Sequence, residues 1–500
     1  MGRGSRRGLD STGVAVDHAR RQLQGLSRAN FHLTQNILQL PPIGKRTFRA
    51  QYFVRCGYEN VALPQAGSLR ITGTRGWKAM RRLIMCFDGT WATAEGGKEV
   101  TNVVKLLRSI ENVTDDGISQ FVGYEPGVGS EPGNGIGGGA FGSGLDRILI
   151  SGYRFLANNY LPGDEIYIFG FSRGAYTARS LAGLIGLAGM LRPSSLGHVL
   201  EGVIEIYRSD DSREDKRLQL QQIGSNERYA DVSIRCVGVW DTVGSLGVPG
   251  QWWGGTTIGK KYNFHDVSLS PSVEVALHAL AIDEKRSAFP PTLWDRDAQA
   301  QPVSGQIVEQ VWFAGVHSNV GGSYGDAMLS DIALDWMVKR VKAHTALKFD
   351  EQCISDFIYP KGRAIESCVA GKGVESRTLL YSVTLSRVYP FLRTINGIKT
   401  PTKGADRFIR DNVPQSLSRR NAAAKGLETV NEAIHISVLD RWRLPAVEHD
   451  APETRAGDQQ PYRPKNLAAV VDEAKKDPSS ATPVVGWDGN IIAPEEVDWP

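Results

Sequence analysis

A serine stands between two glycines in the segment GFSRG, residues 170–174. The apolar run EIYIFG leads into it and a stretch of small residues follows it, which is the strand–turn–helix context of a nucleophile elbow. A serine hydroxyl is a weak nucleophile until a base removes its proton, and that base must be oriented by an acid. The pattern predicts a nucleophilic Ser172. The alternative is a tight glycine turn that carries an ordinary serine.

An aspartate and a histidine that could serve this serine each follow an apolar, strand-like run. Asp241 comes directly after IRCVGVW, and His317 comes directly after VWFAGV. The order Ser, Asp, His, with each residue at the carboxyl end of a strand, is that of the α/β-hydrolases. We therefore predict His317 as the base and Asp241 as the acid. Asp283 and Asp331 are alternatives for the acid, although both lie in helical patterns.

Acyl transfer also needs two backbone N–H groups directed at the oxygen that becomes negative. The residue after the nucleophile supplies one of them, which here is Arg173. The segment FDGTW, residues 87–91, ends an early strand. We predict that Gly89 or Thr90 supplies the second N–H, with Asp88 holding the loop. A plain Asp-Gly turn is an equal alternative.

Short apolar runs alternate with helical patterns between residues 81 and 345, and this alternation must position the three side chains. Apolar runs predict strands within 81–91, 118–129, 165–170, 231–241 and 308–317. Apolar spacing predicts helices over 144–160, 174–191, 271–289 and 329–344. Strands and helices that alternate in this way form a mostly parallel sheet. The predicted fold class is α/β, with an α/β-hydrolase-like sheet, helices on both faces and a smaller, partly helical cap.

Differences in composition and periodicity divide the chain into four predicted parts. Residues 1–79 lack sustained periodicity and are predicted to form a weakly ordered or surface-packed extension. Residues 80–345 are the predicted catalytic domain. Residues 346–446 are predicted to be a cap or accessory region, and residues 447–500, which contain proline-rich stretches, a tail.

The composition is that of a soluble globular protein, with 41% hydrophobic and 22% charged residues. A formal net charge of +4 is too weak to indicate a nucleic-acid partner. The five cysteines form no C-x-x-C pair and no metal-ligand motif stands out, so we predict no disulfide framework, no metal and no cofactor. No apolar run approaches the roughly 18 residues of a membrane-spanning helix, and no signal-peptide core is seen. We therefore expect synthesis in the cytoplasm.

A pair of tryptophans lies in the segment GVPGQWWGGTTIGKKYNF, which follows the predicted acid. Trp252 and Trp253 stand near Lys260 and Lys261, a combination that suits an interfacial lid in contact with anionic phospholipid. This interpretation predicts peripheral contact with a membrane surface. The alternative is that one tryptophan is buried and the other covers a loop.

A glycine-rich tract offers a different function. The segment GIGGGA, residues 135–140, fits the dinucleotide-binding pattern G-x-G-x-x-A and precedes a helix. However, no strand directly abuts it, and no acidic residue closes a second strand about 20 positions further on. We therefore prefer a flexible loop over the site to a nucleotide-binding loop.

Several motifs occur in the order in which a known hydrolase family carries them. They are CFDGTW, YEPGVGS, GFSRGAYTARSLAGLI, GVWDTVGSLG, HALAIDEKRSAF and VWFAGVHSNVGG with LSDIALDWM, and they cover about residues 81–340. The chain resembles the bacterial and fungal α/β-hydrolase family that includes the type VI secretion lipase effectors. The resemblance implies phospholipase activity through a triad of Ser172, Asp241 and His317. It also leaves open export by a specialised secretion system.

One position departs from the family. The family usually carries an aspartate two residues after the histidine, where this chain has Asn319. Any catalytic duty of that acid would be lost here, which favours Asp241.

Motifs and resemblance together predict a serine hydrolase that cleaves carboxylic esters through an acyl-enzyme, a phospholipase or lipase acting on a lipid or other ester. The alternatives are an esterase of soluble esters and a non-catalytic or nucleotide-binding protein on the same fold.

Overall fold

A nine-stranded sheet is the centre of the part of the chain that the structure describes. The computed structural model describes residues 80–89, 92, 100–127, 138–243, 269–286, 289, 291–297, 303–374, 427–448 and 458–500, all of which belong to one compact unit. The predicted extension over 1–79 lies outside these residues.

The sheet is almost entirely parallel. Its strands are Arg82–Phe87 (β1), Gln120–Glu125 (β2), Glu165–Phe171 (β3), Ile234–Trp240 (β4), Val273–Ala281 (β5), Ile307–Phe313 (β6), Glu432–His435 (β7), Val484–Val485 (β8) and Ile491–Ile492 (β9). Their order is β9-β8-β7-β6-β5-β4-β3-β1-β2. Neighbouring strands are parallel, except for the antiparallel pair β8–β9. Because β2 lies on one side of β1 and the later strands on the other, a topological switch point lies between β1 and β3.

Helices connect the strands. The α-helices are Asn102–Ser109 (α1), Gly138–Asn159 (α2), Arg173–Ala188 (α3), Leu200–Arg208 (α4), Arg213–Gln221 (α5), His317–Gly321 (α6), Met328–His344 (α7), Glu351–Ile358 (α8), Ile436–Arg443 (α9) and Lys465–Lys476 (α10). Short 3₁₀ helices span Pro193–Ser195, Pro360–Gly362, Ile365–Ala370, Pro478–Ser480 and Pro494–Glu496. Two-stranded ribbons pair Met190–Leu191 with Arg228–Tyr229, Asp295–Asp297 with Leu427–Thr429, and Val447–Glu448 with Gln459–Gln460.

Both faces of the sheet are covered. Side chains alternate along β1: Leu83 and Met85 belong to the apolar cluster that contains α2 and α3, whereas Ile84 and Cys86 belong to the cluster that contains α1 and α7. A parallel strand that is buried on both sides explains the uninterrupted apolar run of β1. The predicted α/β class, with a mostly parallel sheet and helices on both faces, is confirmed.

The helix predicted over 271–289 is wrong. Val273–Ala281 form the strand β5, whose side chains alternate over its central residues: Val275 and Leu277 lie in one apolar cluster, and Ala276 lies in the other. A strand buried on both faces lacks a polar face, so an apolar run of this kind is ambiguous between helix and strand. The structure contains the other predicted strands, as β1 to β4 and, for residues 308–317, as β6. It also contains the other three predicted helices, as α2, α3 and α7.

The predicted boundary at residue 345 and the predicted tail over 447–500 also need correction. Residues 346–374 include α8, which packs into the same cluster as α7. Residues 432–492 supply the strands β7 to β9 and extend the sheet beyond β6. Ile434 of β7, Leu439 of α9 and Val471 of α10 are buried in a third apolar cluster together with Trp312 of β6. This segment is therefore part of the folded core.

We predict that truncating Ile434 destabilises the whole fold. Ile434 is fully buried, so Ile434→Ala should lower the free energy of unfolding by about 2–5 kcal/mol. Ile491, in the same segment, is 70% exposed, and Ile491→Ala should stay within about 0.5 kcal/mol of the wild type. Urea unfolding of the three proteins measures the difference. Equal, small effects of both substitutions would contradict the conclusion that residues 432–492 belong to the folded core.

Candidate active site

Ser172 occupies a strained turn between β3 and α3. Its backbone has φ 60° and ψ −123°, outside the regions that residues other than glycine usually adopt. The N–H of Ser172 donates to the carbonyl of Trp240 (3.1 Å), and its carbonyl accepts from the N–H of Tyr176 (3.3 Å). A Cβ at Gly170 would lie 2.5 Å from the carbonyl oxygen of Gly174. The first glycine of the motif is therefore required because strand and helix approach each other so closely.

The serine, histidine and aspartate meet at the carboxyl edge of the sheet. Ser172 follows β3, Asp241 follows β4, and His317 begins α6 shortly after β6. Ser172 Oγ lies 2.7 Å from His317 Nε2, and His317 Nδ1 lies 2.6 Å from Asp241 Oδ2. All three side chains are buried. When Nδ1 donates its proton to the carboxylate, Nε2 is free to accept the proton of the serine hydroxyl.

The Asp241 carboxylate is held in place by β5. The backbone of Asp241 lies at φ 37°, and its N–H donates to the carbonyl of Ala279 (2.7 Å). Its Oδ1 accepts the N–H of Ala281 (3.0 Å), which leaves Oδ2 directed at the histidine. The carboxylate is therefore oriented before any substrate binds.

The two alternative acids have other partners. Asp283 Oδ2 accepts the N–H of Gly315 (2.6 Å) and the hydroxyl of Tyr462 (3.0 Å). Asp331 forms a buried ion pair with Lys105 (2.6 Å) and a second one with Arg363 (2.5 Å). The carboxylate that the structure brings to the ring of His317 is that of Asp241.

The surroundings of His317 favour the neutral form of its imidazole. Burial lowers the pKa of His317 below its ordinary value, and the hydrogen bond and charge of Asp241 oppose this effect only in part. Two aromatic rings contact the imidazole: the centroid of Phe171 lies 4.7 Å and that of Phe289 4.9 Å from its centroid. A neutral imidazole is the form that can act as a general base.

Glu284 and Arg286 also belong to the site, although no sequence pattern predicted a role for them. Glu284 is buried, and its Oε2 accepts the backbone N–H of His317 (3.3 Å). Burial favours the protonated form of Glu284, but the paired guanidinium of Arg286, at 2.9 Å from both carboxylate oxygens, outweighs it and lowers the pKa. The charged run DEKR directly after an apolar run was the signal that could have indicated this pair.

Asp88 ties together the loop beside the nucleophile. Its Oδ1 accepts the N–H of Gly89 (2.7 Å) and the hydroxyl of Thr101 (2.8 Å), and its Oδ2 accepts the hydroxyl of Tyr124 (2.8 Å). A Cβ at Gly89 would lie 3.6 Å from the Cβ of Ser172, so this loop borders the serine. The N–H of Gly89 is thus occupied by Asp88, and Thr90 lies outside the described residues.

Arg173, the other predicted oxyanion donor, is the first residue of α3. It directly follows the serine, so its backbone N–H lies at the N-terminus of a helix, where a developing negative charge is favoured.

Asn319 has a structural role that an aspartate could not fill in the same way. Its Oδ1 accepts the N–H groups of Val316 (3.2 Å) and Val374 (3.4 Å), and its Nδ2 donates to the carbonyl of Lys372 (3.3 Å). A carboxylate has no hydrogen to donate to that carbonyl. The departure from the family pattern therefore fits the neighbouring backbone of this chain.

Several predicted features lie outside the described residues, namely Trp252, Trp253 and residues 135–137 of the glycine tract. Within the described ranges, no group of three or more His, Cys, Asp or Glu side chains is arranged to hold a metal ion. None of the helices in the described part of the chain combines the length and the apolar character needed to cross a bilayer.

A family model for the catalytic domain of Tle1-like phospholipase effectors of the type VI secretion system matches residues 81–340, just over half of the 500-residue chain. The chain belongs to this Tle1-like family. The matched residues contain Ser172, Asp241 and His317, and the match ends before α8. The strands β7 to β9 thus lie beyond the Tle1-like region.

Individual relatives give less information about this chain than the family model does. An uncharacterized protein of Saccharomyces cerevisiae is 30% identical over 236 residues, which are 42% of this chain and 32% of that protein. The Tle1-like chain thus spans about a third of this relative's length. A crystal structure of an uncharacterized protein from Pseudomonas aeruginosa (17% identity, 70% of this chain and 63% of that one) has a TM-score of 0.35. A structure of the Tle1 effector bound to the VgrG spike (18% identity, 53% and 56%) has a TM-score of 0.29.

We predict that the carboxylate of Asp88 makes the stability of the protein depend on pH. Burial raises its pKa from 3.8 to about 6, although three donors oppose the shift. The folded state therefore holds this proton more tightly than the unfolded state, and stability falls as the pH rises from about 4 to about 6. Asp88→Asn keeps an oxygen acceptor but does not titrate. Its stability relative to the wild type should increase by roughly 2 kcal/mol between pH 4 and pH 7.

Urea unfolding of both proteins at several pH values in this range measures the effect. The same pH dependence in Asp88→Asn and in the wild type would show that Asp88 does not carry it.

Proposed function

We propose that this chain is a serine hydrolase that cleaves carboxylic esters of lipids through an acyl-enzyme. One observation carries the proposal: the hydrogen-bonded chain from Ser172 Oγ through both ring nitrogens of His317 to Asp241 Oδ2, with lengths of 2.7 and 2.6 Å. The strained backbone of Ser172 supports it, because such strain at the end of a parallel strand is a mark of functional sites.

In the proposed reaction, Ser172 Oγ attacks the ester carbonyl carbon and its proton passes to His317 Nε2. The tetrahedral intermediate then expels the alcohol, which takes the proton from Nε2, and an acyl-serine remains. Water attacks this ester, Nε2 accepts the proton of the water, and the released serine oxygen takes it back. Asp241 stabilises the imidazolium in both halves of the cycle.

The proposed oxyanion hole consists of two backbone N–H groups. Arg173 supplies the first, at the N-terminus of α3. Of the two residues that the sequence suggested for the second, we favour Thr90, because the N–H of Gly89 already donates to Asp88.

The proposed substrate is a phospholipid or another lipid ester. Membership of a family of phospholipase effectors supports this class. We also retain the proposal that Trp252 and Trp253 contact a membrane surface. Export by a specialised secretion system belongs to the same proposal, since the family model describes type VI secretion effectors.

We predict that hydrolysis depends on the Ser172 hydroxyl. With mixed phospholipid vesicles and soluble p-nitrophenyl esters as substrates, the wild type should release fatty acid and p-nitrophenol, and Ser172→Ala neither. A fluorophosphonate probe should label the wild type and not Ser172→Ala. Ser180→Ala is a matched control: Ser180 lies buried in the same helix and donates to the carbonyl of Tyr176 (2.9 Å), so this variant should behave as the wild type does.

The products separate the alternatives. Turnover of soluble esters without any release from vesicles would make the protein a general esterase. Absence of both labelling and turnover in the wild type would favour a non-catalytic protein, and thermal stabilisation by NAD or ATP would favour a nucleotide binder.

We predict that activity falls in acid with a midpoint below the ordinary histidine pKa. His317 must be neutral to accept the serine proton, and burial lowers its pKa from 6.5. The kcat/KM for a soluble ester should therefore rise with pH, reach half its maximum below pH 6.5 and stay level through neutral pH. Asp241→Asn removes the charge that opposes the effect of burial, so its midpoint should move further down and its rate fall by a factor on the order of 10⁴. A wild-type midpoint well above 6.5 would contradict the assignment.

A further inference from the structure

The turn that follows β5 holds the loop that carries His317. The N–H of Ile282 donates to the carbonyl of Phe313 (3.0 Å). The N–H of Asp283 donates to the carbonyl of Gly315 (3.0 Å), and the N–H of Gly315 donates back to Asp283 Oδ2 (2.6 Å). Because Gly315 stands two residues before the histidine, this turn fixes the backbone from which the imidazole reaches the serine.

Two side chains from the C-terminal segment, residues 432–492, form hydrogen bonds with the same turn. The Tyr462 hydroxyl lies 3.1 and 3.0 Å from the two carboxylate oxygens of Asp283. Asn466 Nδ2 donates to the carbonyl of Ile282 (3.1 Å). Both side chains are buried, and both lie well beyond the residues that the family model matches. The histidine loop is thus connected to the C-terminal segment through one turn.

The Asp283 carboxylate depends on its two donors, the Gly315 N–H and the Tyr462 hydroxyl, because it is buried. A buried carboxylate that loses a hydrogen-bond donor is left with an uncompensated desolvation penalty. Burial raises the pKa of Tyr462 well above its ordinary value, so the hydroxyl keeps its proton and remains a donor. The guanidinium of buried Arg441 lies 5.0 Å from the centre of the Tyr462 ring, and the charges of Arg441 and Asp283 stabilise each other.

We propose that Tyr462 is a positioning residue for ester hydrolysis, which through Asp283 and Gly315 keeps His317 within hydrogen-bond reach of Ser172. The inference rests on the proposed function in one respect, the role of His317 as the base. It adds a residue of the C-terminal segment to a site whose other residues lie in the family-matched domain. Tyr462 itself acts only through other residues.

The test is Tyr462→Phe, which removes a single oxygen. Small displacements of a reacting group lower rates by up to about 100-fold, so kcat for a p-nitrophenyl ester should fall about 10- to 100-fold with KM little changed. The midpoint of the acid limb should move to lower pH, because a displaced imidazole loses part of its interaction with Asp241. In amide hydrogen exchange, peptides covering residues 313–320 should lose protection.

Tyr153→Phe is the matched control. Tyr153 is fully buried, and its hydroxyl makes two backbone hydrogen bonds, to the carbonyl of Gly189 and from the N–H of Leu191, both at 3.0 Å. This variant should lose stability yet keep kcat within about twofold, the same pH midpoint and unchanged exchange over 313–320. If Tyr462→Phe does not fold, Asn466→Leu removes the donor to Ile282 and should give the same pattern.

Unchanged kcat, pH midpoint and exchange in Tyr462→Phe would overturn the inference. So would a loss of kcat that Tyr153→Phe reproduces in full. If the wild type hydrolyses no ester, the proposed function fails, and exchange over 313–320 alone then decides whether Tyr462 holds the histidine loop.

Discussion

Ser172 is held at backbone dihedral angles that residues other than glycine rarely adopt. The rest of the site depends on the contacts that hold it in this conformation. With φ at 60° and ψ at −123°, the turn stores roughly 1–3 kcal/mol of strain. The hydrogen bond to Trp240 and the close packing of α3, on β3 at Gly170 and on the end of β1 at Gly174, compensate for this strain. Because the turn fixes the direction of the serine hydroxyl, the histidine and the aspartate need only be held at strand ends along the same edge of the sheet.

A parallel sheet supplies those strand ends at one edge, and each of its loops there has a separate task. The loops after β3, β4 and β6 carry the serine, the aspartate and the histidine. The end of β5 and the turn after it orient two of them: Ala281 donates to Asp241, and Asp283 and Glu284 accept N–H groups of the histidine loop. The loop after β1 borders the serine at the topological switch point, where α/β sheets usually bind their ligands.

Much of this site could be predicted from the sequence, because each of its three side chains directly follows an apolar run and parallel strands end at a common edge. The same criterion failed at residues 271–289, where β5 is buried on both faces and shows no polar face. It failed at residues 427–500 because β7 to β9 contain only two to four residues each, so their pairing partners decide their structure. The contact between Asp283 and Tyr462 joins positions 179 residues apart, and no local spacing reveals such a pair.

The most direct test of the proposed acyl-enzyme on Ser172 is to trap this intermediate on the protein. During turnover of a p-nitrophenyl ester, the reaction is quenched in acid. The protein is then digested with trypsin, and the peptide masses are measured by mass spectrometry. Cleavage after Arg154 and Arg173 gives the peptide 155–173, whose single serine is Ser172. We predict that this peptide gains the mass of the acyl group. Continued turnover with the acyl group on a different peptide, or on none, would contradict it.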